Sequence, residues 1–251
     1  MILEGETVFV GTRLPLLAYL VAKATHAPHA VALYENGLIR EEAARELLFT
    51  MGDPPNVLDA TCASGTLDVM GMMQAGRVDV GIVGAAEVDR FGNLNSTEVA
   101  DEAGRPIRLP GSGGAADILA LARRTVVMVP QEKRRLVERV RFRTSPGRGD
   151  GPEWRARVGL PPGGPSAIVT THAVFAFDHK IAEAYLAEIY QGVSVDHLQA
   201  RMGWTPRITQ PVALIRPFTE EEVSALRRLD PDGFWTGEGI SDRMPGASVS
   251  N

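Results

Sequence analysis

Short apolar runs, each closed by glycine or proline, alternate along this chain with segments whose apolar residues recur at helical spacing. Thr7-Val8-Phe9-Val10 predicts a strand, Gly11-Thr12-Arg13-Leu14-Pro15 a tight turn, and Leu16 to Lys23 a helix. His26-Ala27-Pro28-His29 breaks that helix. The run Val31 to Ile39 then predicts a buried strand carrying one carboxylate, Glu35, beside Gly37. Two strands joined through a helix make a parallel βαβ unit. Such a unit brings the Gly11 turn and Glu35 to the same carboxyl edge of the sheet, where ligands of α/β folds bind.

The alternation continues to the C-terminus. Glu41 to Leu48 is helix-like, Met51 to Asn56 a loop, and Cys62-Ala63-Ser64-Gly65 is ambiguous. Leu67 to Gln74 predicts a helix, with Met70, Met72 and Met73 as core filling, and Val78 to Val83 a buried strand. The run Gly84 to Thr97, with almost no bulk, reads as a loop whose backbone can approach a ligand while its polar side chains tie it to itself. Pro106 to Leu109 is extended, Pro110-Gly111-Ser112-Gly113-Gly114 opens a helix over 118–123, and Thr125 to Val129 is a strand. Thr144 to Pro152 is a long loop of a kind that is commonly functional. Ala167 to Thr171 and Ala173 to Asp178 predict a hairpin, and Ile181 to Tyr190 leans towards strand. Two helices follow, over 195–203 and over 218–226, the second starting at Thr219 with acidic residues in its first turn. The expected architecture is α/β: an open, mainly parallel sheet with helices on both faces and a small β-rich and helical C-terminal extension. One domain over 1–236 and a polar, mobile tail over 237–251 are expected.

Composition narrows the function. The chain has 251 residues, 44% hydrophobic and 23% charged, enough for one large α/β domain. A net charge of −5 argues against general nucleic-acid binding. One cysteine, Cys62, excludes an internal disulfide and a thiolate-rich metal site, and five scattered histidines form no ligand motif, so no metal site is expected. The N-terminus lacks the regions of a signal peptide and no apolar run approaches membrane-spanning length, which points to a cytoplasmic protein without a membrane partner.

Candidate chemistry gathers on few residues. Buried carboxylates are costly unless partnered, so Glu35 marks either a site or the end of a strand at a Glu-Asn-Gly turn. Glycines before helix starts at Gly11 and at Gly111 to Gly114 leave N–H donors open to an anion. The basic concentration from Lys133 to Arg143 is either a solvated face or a cradle for phosphates. Cys62 lacks a base nearby in the sequence and reads as a small packed residue rather than a nucleophile.

Val10-Gly11-Thr12-Arg13-Leu14-Pro15, Glu35-Asn36-Gly37-Leu38, Gly84 to Asp89, Gly92 to Thr97, Gly111-Ser112-Gly113-Gly114, Glu132 to Arg135 and Thr144 to Gly147 follow in an order similar to that of one family. They resemble the β subunit of class I coenzyme A transferases, most of all the glutaconate CoA-transferase type, over residues from about 7 to 235. The resemblance implies that Glu35 is the catalytic nucleophile and passes through a glutamyl-CoA thioester. It implies that Gly11, Thr12, Arg13, Asn36, Gly37, Gly84, Gly111, Gly113 and Gly114 bind the CoA thioester or stabilise its oxyanion. It further implies an α subunit as partner in an αβ or α2β2 assembly, an acyl-CoA and a carboxylic acid as substrates, and no permanently bound cofactor.

Arg13 departs from the family pattern, which has glycine there, and its planar guanidinium suits a substrate carboxylate or a CoA phosphate. Asn36 departs from the serine of the glutaconate type, while Glu-Asn-Gly is usual in the 3-oxoacid type. Hydrolases and decarboxylases of the same fold tend to alter the glutamate, so Glu35 favours transfer. A non-catalytic subunit that binds a phosphorylated ligand is a third reading, and Glu35 counts against it.

Overall fold

A computed structural model describes residues 1–46, 48–101, 103–178 and 180–237. Ten strands form one sheet, in the order Arg207–Leu214, Ala184–Ile189, Ala173–Phe177, Pro165–Val169, Arg124–Met128, Val80–Gly84, Thr7–Val10, Val31–Leu33, Leu38–Arg40 and Cys62–Ala63. The sheet is mixed. Its five central strands, from Pro165–Val169 to Val31–Leu33, run parallel. Antiparallel pairs flank them on both sides, and Arg207–Leu214 closes one edge parallel to Ala184–Ile189.

The central strands are apolar at successive positions because both faces are covered. Val8 and Val10 point into one buried cluster with Ala32, Tyr34, Ile82 and Val126, together with Leu16, Tyr19 and Leu20 of the helix Leu14–Ala24. Phe9 points into the other cluster, with Leu33, Val83, Val127 and Phe175, against Val69 and Met73 of the helix Thr66–Gln74 and Ile118 and Leu119 of the helix Ala115–Leu121. The C-terminal helix Glu220–Leu229 packs on the helix Leu14–Ala24. Its start carries a reciprocal capping box between Thr219 and Glu222, as its Thr-x-x-Glu spacing favours. Smaller sheets join Glu87–Asp89, Leu94–Asn95 and Leu136–Val137, and pair Glu98–Ala100 with Pro106–Arg108.

Several expectations change. Val31 to Ile39 is a hairpin rather than one strand: Val31–Leu33 turns at Tyr34-Glu35-Asn36-Gly37 and returns as Leu38–Arg40. Gly37 N–H donates to Tyr34 O at 2.9 Å, and its φ of 98° lies in the region that favours glycine, so the Glu-Asn-Gly turn chemistry prevails over the apolar run. Glu41 to Leu48 forms no helix over its described residues. The guanidinium of the buried Arg40 takes the carbonyls of Glu42 and Ala43, acceptors a helix here would use, and ties them to the carbonyls of Asn56 and Leu58. The stretch read as a loop over 51–56 contains the start of a short helix, Pro54–Val57. Cys62 is exposed in the edge strand rather than packed. Of the tail expected over 237–251, everything beyond Gly237 lies outside the described residues. Among the described residues, no helix is long and apolar enough to cross a membrane.

Candidate active site

The carboxyl ends of the parallel strands open onto a cavity of about 630 Å³. Val10, Gly84 and Met128 line it from the strand ends, Gly11 to Pro15 from the first turn, and Glu35 from the tip of the hairpin. Adjacent parallel strands thus bring the Gly11 turn and Glu35 to one edge, as the βαβ order predicts.

Glu35 is half-buried and, among the described residues, is the only carboxylate in the lining. Among the described residues, its carboxylate has neither a hydrogen-bond nor an ion-pair partner. The hairpin beneath it is rigidly held. The phenol of Tyr34, directly before it, is buried, which pushes that pKa well up and keeps the ring neutral. On the other side, Gly37 O accepts from Ser64 N and Ser64 Oγ, at 3.1 and 2.9 Å. A Cβ on Gly37 would lie 2.3 Å from Ser64 O, so this crossing has no room for a side chain. The Asn36 amide donates to Met51 O at 2.8 Å and accepts from Leu38 N, which ties the turn to the neighbouring loop and leaves Asn36 outside the cavity lining.

The loop before the helix Ala115–Leu121 meets the Glu35 carboxylate from the opposite side. A Cβ on Gly114 would lie 2.9 Å from Glu35 Oε2 and 2.9 Å from the Met70 methyl, and one on Gly113 would lie 3.6 Å from Glu35 Oε1. Among the described residues, neither the Gly113 nor the Gly114 N–H has a hydrogen-bond partner. Gly111 is different. Its N–H is committed to Ser96 O at 2.8 Å, and its φ of 98° shapes the turn that presents the next glycines.

The first turn contributes in two ways. Gly11 donates to Ile82 O at 3.0 Å, and a Cβ there would lie 2.5 Å from that same oxygen, so Gly11 packs backbone against backbone. No side chain caps the helix Leu14–Ala24, whose N-terminal residues Leu14 and Pro15 line the cavity with Thr12 and Arg13. Arg13 has φ 68° and ψ −128°, a backbone conformation rare for residues with a side chain.

Residues of the C-terminal extension complete the wall. Phe234 and Trp235 line the cavity with Met51. Sequence patterning missed them: a polar context beside Gly233 gave no periodic signal, and only the aromatic pair next to an acidic helix cap marks the spot.

Other candidates have structural employment. Gly84, Ala85, Ala86 and Ser96 reach the cavity, whereas Asn93 and Asn95 are fully buried. The Asn93 side chain donates to Asp89 and to Gly149 O and accepts from Gly147 N and Gly149 N, which knits the 84–97 run to the 144–152 loop. Burial pushes the Asp89 carboxyl up in pKa, against the hydrogen bonds it accepts from Asn93, Val140 and Phe91. The asparagine-rich part of the run therefore serves the structure, while its Gly84 to Ala86 start and Ser96 face the cavity. The arginines of the basic run are ion-paired: Arg134 and Arg135 with Glu132, Arg139 and Arg143 with Asp150, and Arg141 with Glu98. Of these arginines only Arg135 lines the cavity, and it also donates to Ala85 O. The geometry favours the solvated face over the phosphate cradle.

The family model for coenzyme A transferase matches residues 1–201. The chain belongs to the coenzyme A transferase family. It is 34% identical to the β subunit of 3-oxoadipate CoA-transferase from Pseudomonas knackmussii, over 90% of this chain and 87% of that one. Among solved structures, glutaconate coenzyme A-transferase from Acidaminococcus fermentans superimposes with a TM-score of 0.85 at 30% identity, covering 94% of this chain and 92% of that one. The decarboxylase AibA/AibB superimposes with a TM-score of 0.77 at 27% identity, covering 93% and 91%. The resemblance seen in the ordered motifs is therefore a real family relation of the β-subunit type, and the α/β fold is the family's.

Proposed function

We propose that this chain is the β subunit of an enzyme that moves CoA between an acyl-CoA and a free carboxylic acid, with Glu35 as covalent carrier. The observation that carries the reading is Glu35 itself: among the described residues the only carboxylate lining the cavity, unpaired, and packed against Gly113 and Gly114, whose N–H groups have no partner among those residues.

In the first step a Glu35 oxygen attacks the thioester carbonyl, the C–S bond breaks, and an acyl-glutamyl anhydride and CoA thiolate result. The thiolate then attacks the glutamyl carbonyl. This releases the first acid, which keeps an oxygen from Glu35, and leaves a glutamyl-CoA thioester. A second acid reverses both steps and departs as the new acyl-CoA. Each intermediate is an activated acyl group, so the thioester energy is conserved as long as water is excluded. Each tetrahedral intermediate carries an oxyanion, and the Gly113 and Gly114 N–H groups are the free donors beside it. The committed N–H groups of Gly11, Gly37 and Gly111 act instead by shaping the loops.

The acyl group we favour is dicarboxylic, since 3-oxoadipate and glutaconate, named for the two transferase relatives, are both dicarboxylic acids. We expect an α subunit to complete the pocket, in an αβ or α2β2 assembly, because the 3-oxoadipate CoA-transferase chain that matches 90% of this one is itself a single subunit of its enzyme. The unaltered glutamate at the cavity is what favours transfer over decarboxylation or hydrolysis.

The test uses the chain co-expressed with its α subunit. Incubation with an acyl-CoA and trapping with borohydride or hydroxylamine places a modification on the peptide containing Glu35, absent from Glu35→Ala. CoA release that is independent of any acceptor acid, with no modified Glu35, overturns the reading in favour of hydrolysis.

A further inference from the structure

Arg13 combines three features that stand apart from the rest of the cavity. Its backbone, at φ 68° and ψ −128°, is one in which a side chain is strained and glycine would adopt it freely. Its guanidinium has no ion-pair partner among the described residues, unlike that of Arg135, the other cation in the lining, which is paired with Glu132. It lies over the Trp235 ring, 5.5 Å from the centroid.

That ring is firmly fixed. The Trp235 indole N–H donates to Leu48 O at 3.1 Å, and its backbone N–H donates to Asp230 Oδ2 at 3.0 Å. Asp230, fully buried, also accepts from Phe234 N and Thr236 N. Phe234 meets Trp235 edge-on at 4.6 Å and Phe49 at 4.7 Å. An aromatic face takes up the flat side of a guanidinium and leaves its in-plane N–H donors free to hold a carboxylate in bidentate fashion.

We propose that Arg13, oriented by Trp235, receives the remote carboxylate of a dicarboxylic acyl group while the reacting carbonyl sits at Glu35. Arg13 is then the specificity-determining residue and Trp235 its positioning residue. The inference rests on the transferase reading above, and its test separates the two.

Glutaryl-CoA carries the butyryl chain with a carboxylate added at its far end, so the kcat/KM ratio of glutaryl-CoA to butyryl-CoA in the αβ complex reports that carboxylate alone. Arg13→Gln and Trp235→Leu lower the glutaryl-to-butyryl ratio by about 30-fold or more, the scale of a lost charge-assisted pair, and Arg13→Lys recovers part of it. An unchanged ratio, with both substrates falling together, overturns the proposal and places Arg13 on the CoA moiety. Binding needs no turnover: the Glu35→Ala complex binds glutarate more tightly than butyrate by calorimetry, and adding Arg13→Gln abolishes the preference. If the wild-type complex yields no Glu35 adduct, the transferase reading fails, and the calorimetric preference still decides for or against Arg13.

Discussion

Substituting Gly114 with alanine separates the chemistry of the site from its stability. Gly114 has φ −73° and ψ −6°, so alanine adopts its backbone without strain. The added methyl would lie 2.9 Å from Glu35 Oε2, 3.1 Å from its Cδ and 2.9 Å from the Met70 methyl. All three atoms belong to side chains with freedom to move, and the carboxylate must retreat by about 0.5–1 Å to reach ordinary contact. The cost in stability is therefore about 1 kcal/mol, the low end for a crowded site. The cost in rate is larger, since a displacement near 1 Å at a reacting group loses roughly 100-fold. Gly11→Ala is the contrasting variant: its methyl would meet the backbone carbonyl of Ile82 at 2.5 Å, which cannot yield without moving the central strand. Thermal unfolding and kcat of the αβ complex are measured together. Gly114→Ala loses turnover while keeping its unfolding temperature within a few degrees, and Gly11→Ala loses stability first. Full activity in Gly114→Ala, or a loss no greater than its unfolding accounts for, refutes the placement of Glu35 against this loop.

Two further outcomes follow from the same geometry. Gly37→Ala combines a φ of 98° with a Cβ 2.3 Å from Ser64 O, and lowers stability by about 2 kcal/mol or more in denaturant titrations; a neutral result contradicts the tight hairpin beneath Glu35. Glu222→Gln removes a carboxyl whose pKa the hydrogen bond from Arg216 lowers from 4.5 to about 2. A depressed carboxyl stabilises the fold above its unfolded pKa and ceases to do so as pH falls through the folded value. The variant is thus less stable than wild type by about 1 kcal/mol near neutral pH, and the gap closes between about pH 4.5 and pH 2; a gap that is constant with pH contradicts it.

The parallel core was legible because its central strands are apolar runs, three of them ended at or near glycine or proline (Gly11, Gly84, Pro130), and the strand, helix, strand order forces one carboxyl edge. That logic alone brought Gly11 and Glu35 together. What patterning could not weigh was competition for backbone groups. Arg40 is a single charged residue after an apolar run, and only the folded chain reveals that it takes the carbonyls of Glu42 and Ala43, at the start of the stretch expected to be a helix, together with those of Asn56 and Leu58. The same limit affected the Asn-rich run, where Asn93 holds two loops together rather than facing a ligand. Trp235 was invisible for another reason: its contact with Arg13 joins distant parts of the chain and follows no local period.

The covalent role of Glu35 is tested most directly by following oxygen. In the proposed sequence the bridging oxygen of the second anhydride comes from the acceptor acid and stays on Glu35 when the new acyl-CoA leaves. A single turnover of the αβ complex with acceptor acid labelled with heavy oxygen in its carboxylate therefore leaves one heavy oxygen in the peptide that contains Glu35, by mass spectrometry, and repeated turnover raises it to two. Full transfer of CoA with no label in that peptide contradicts the account.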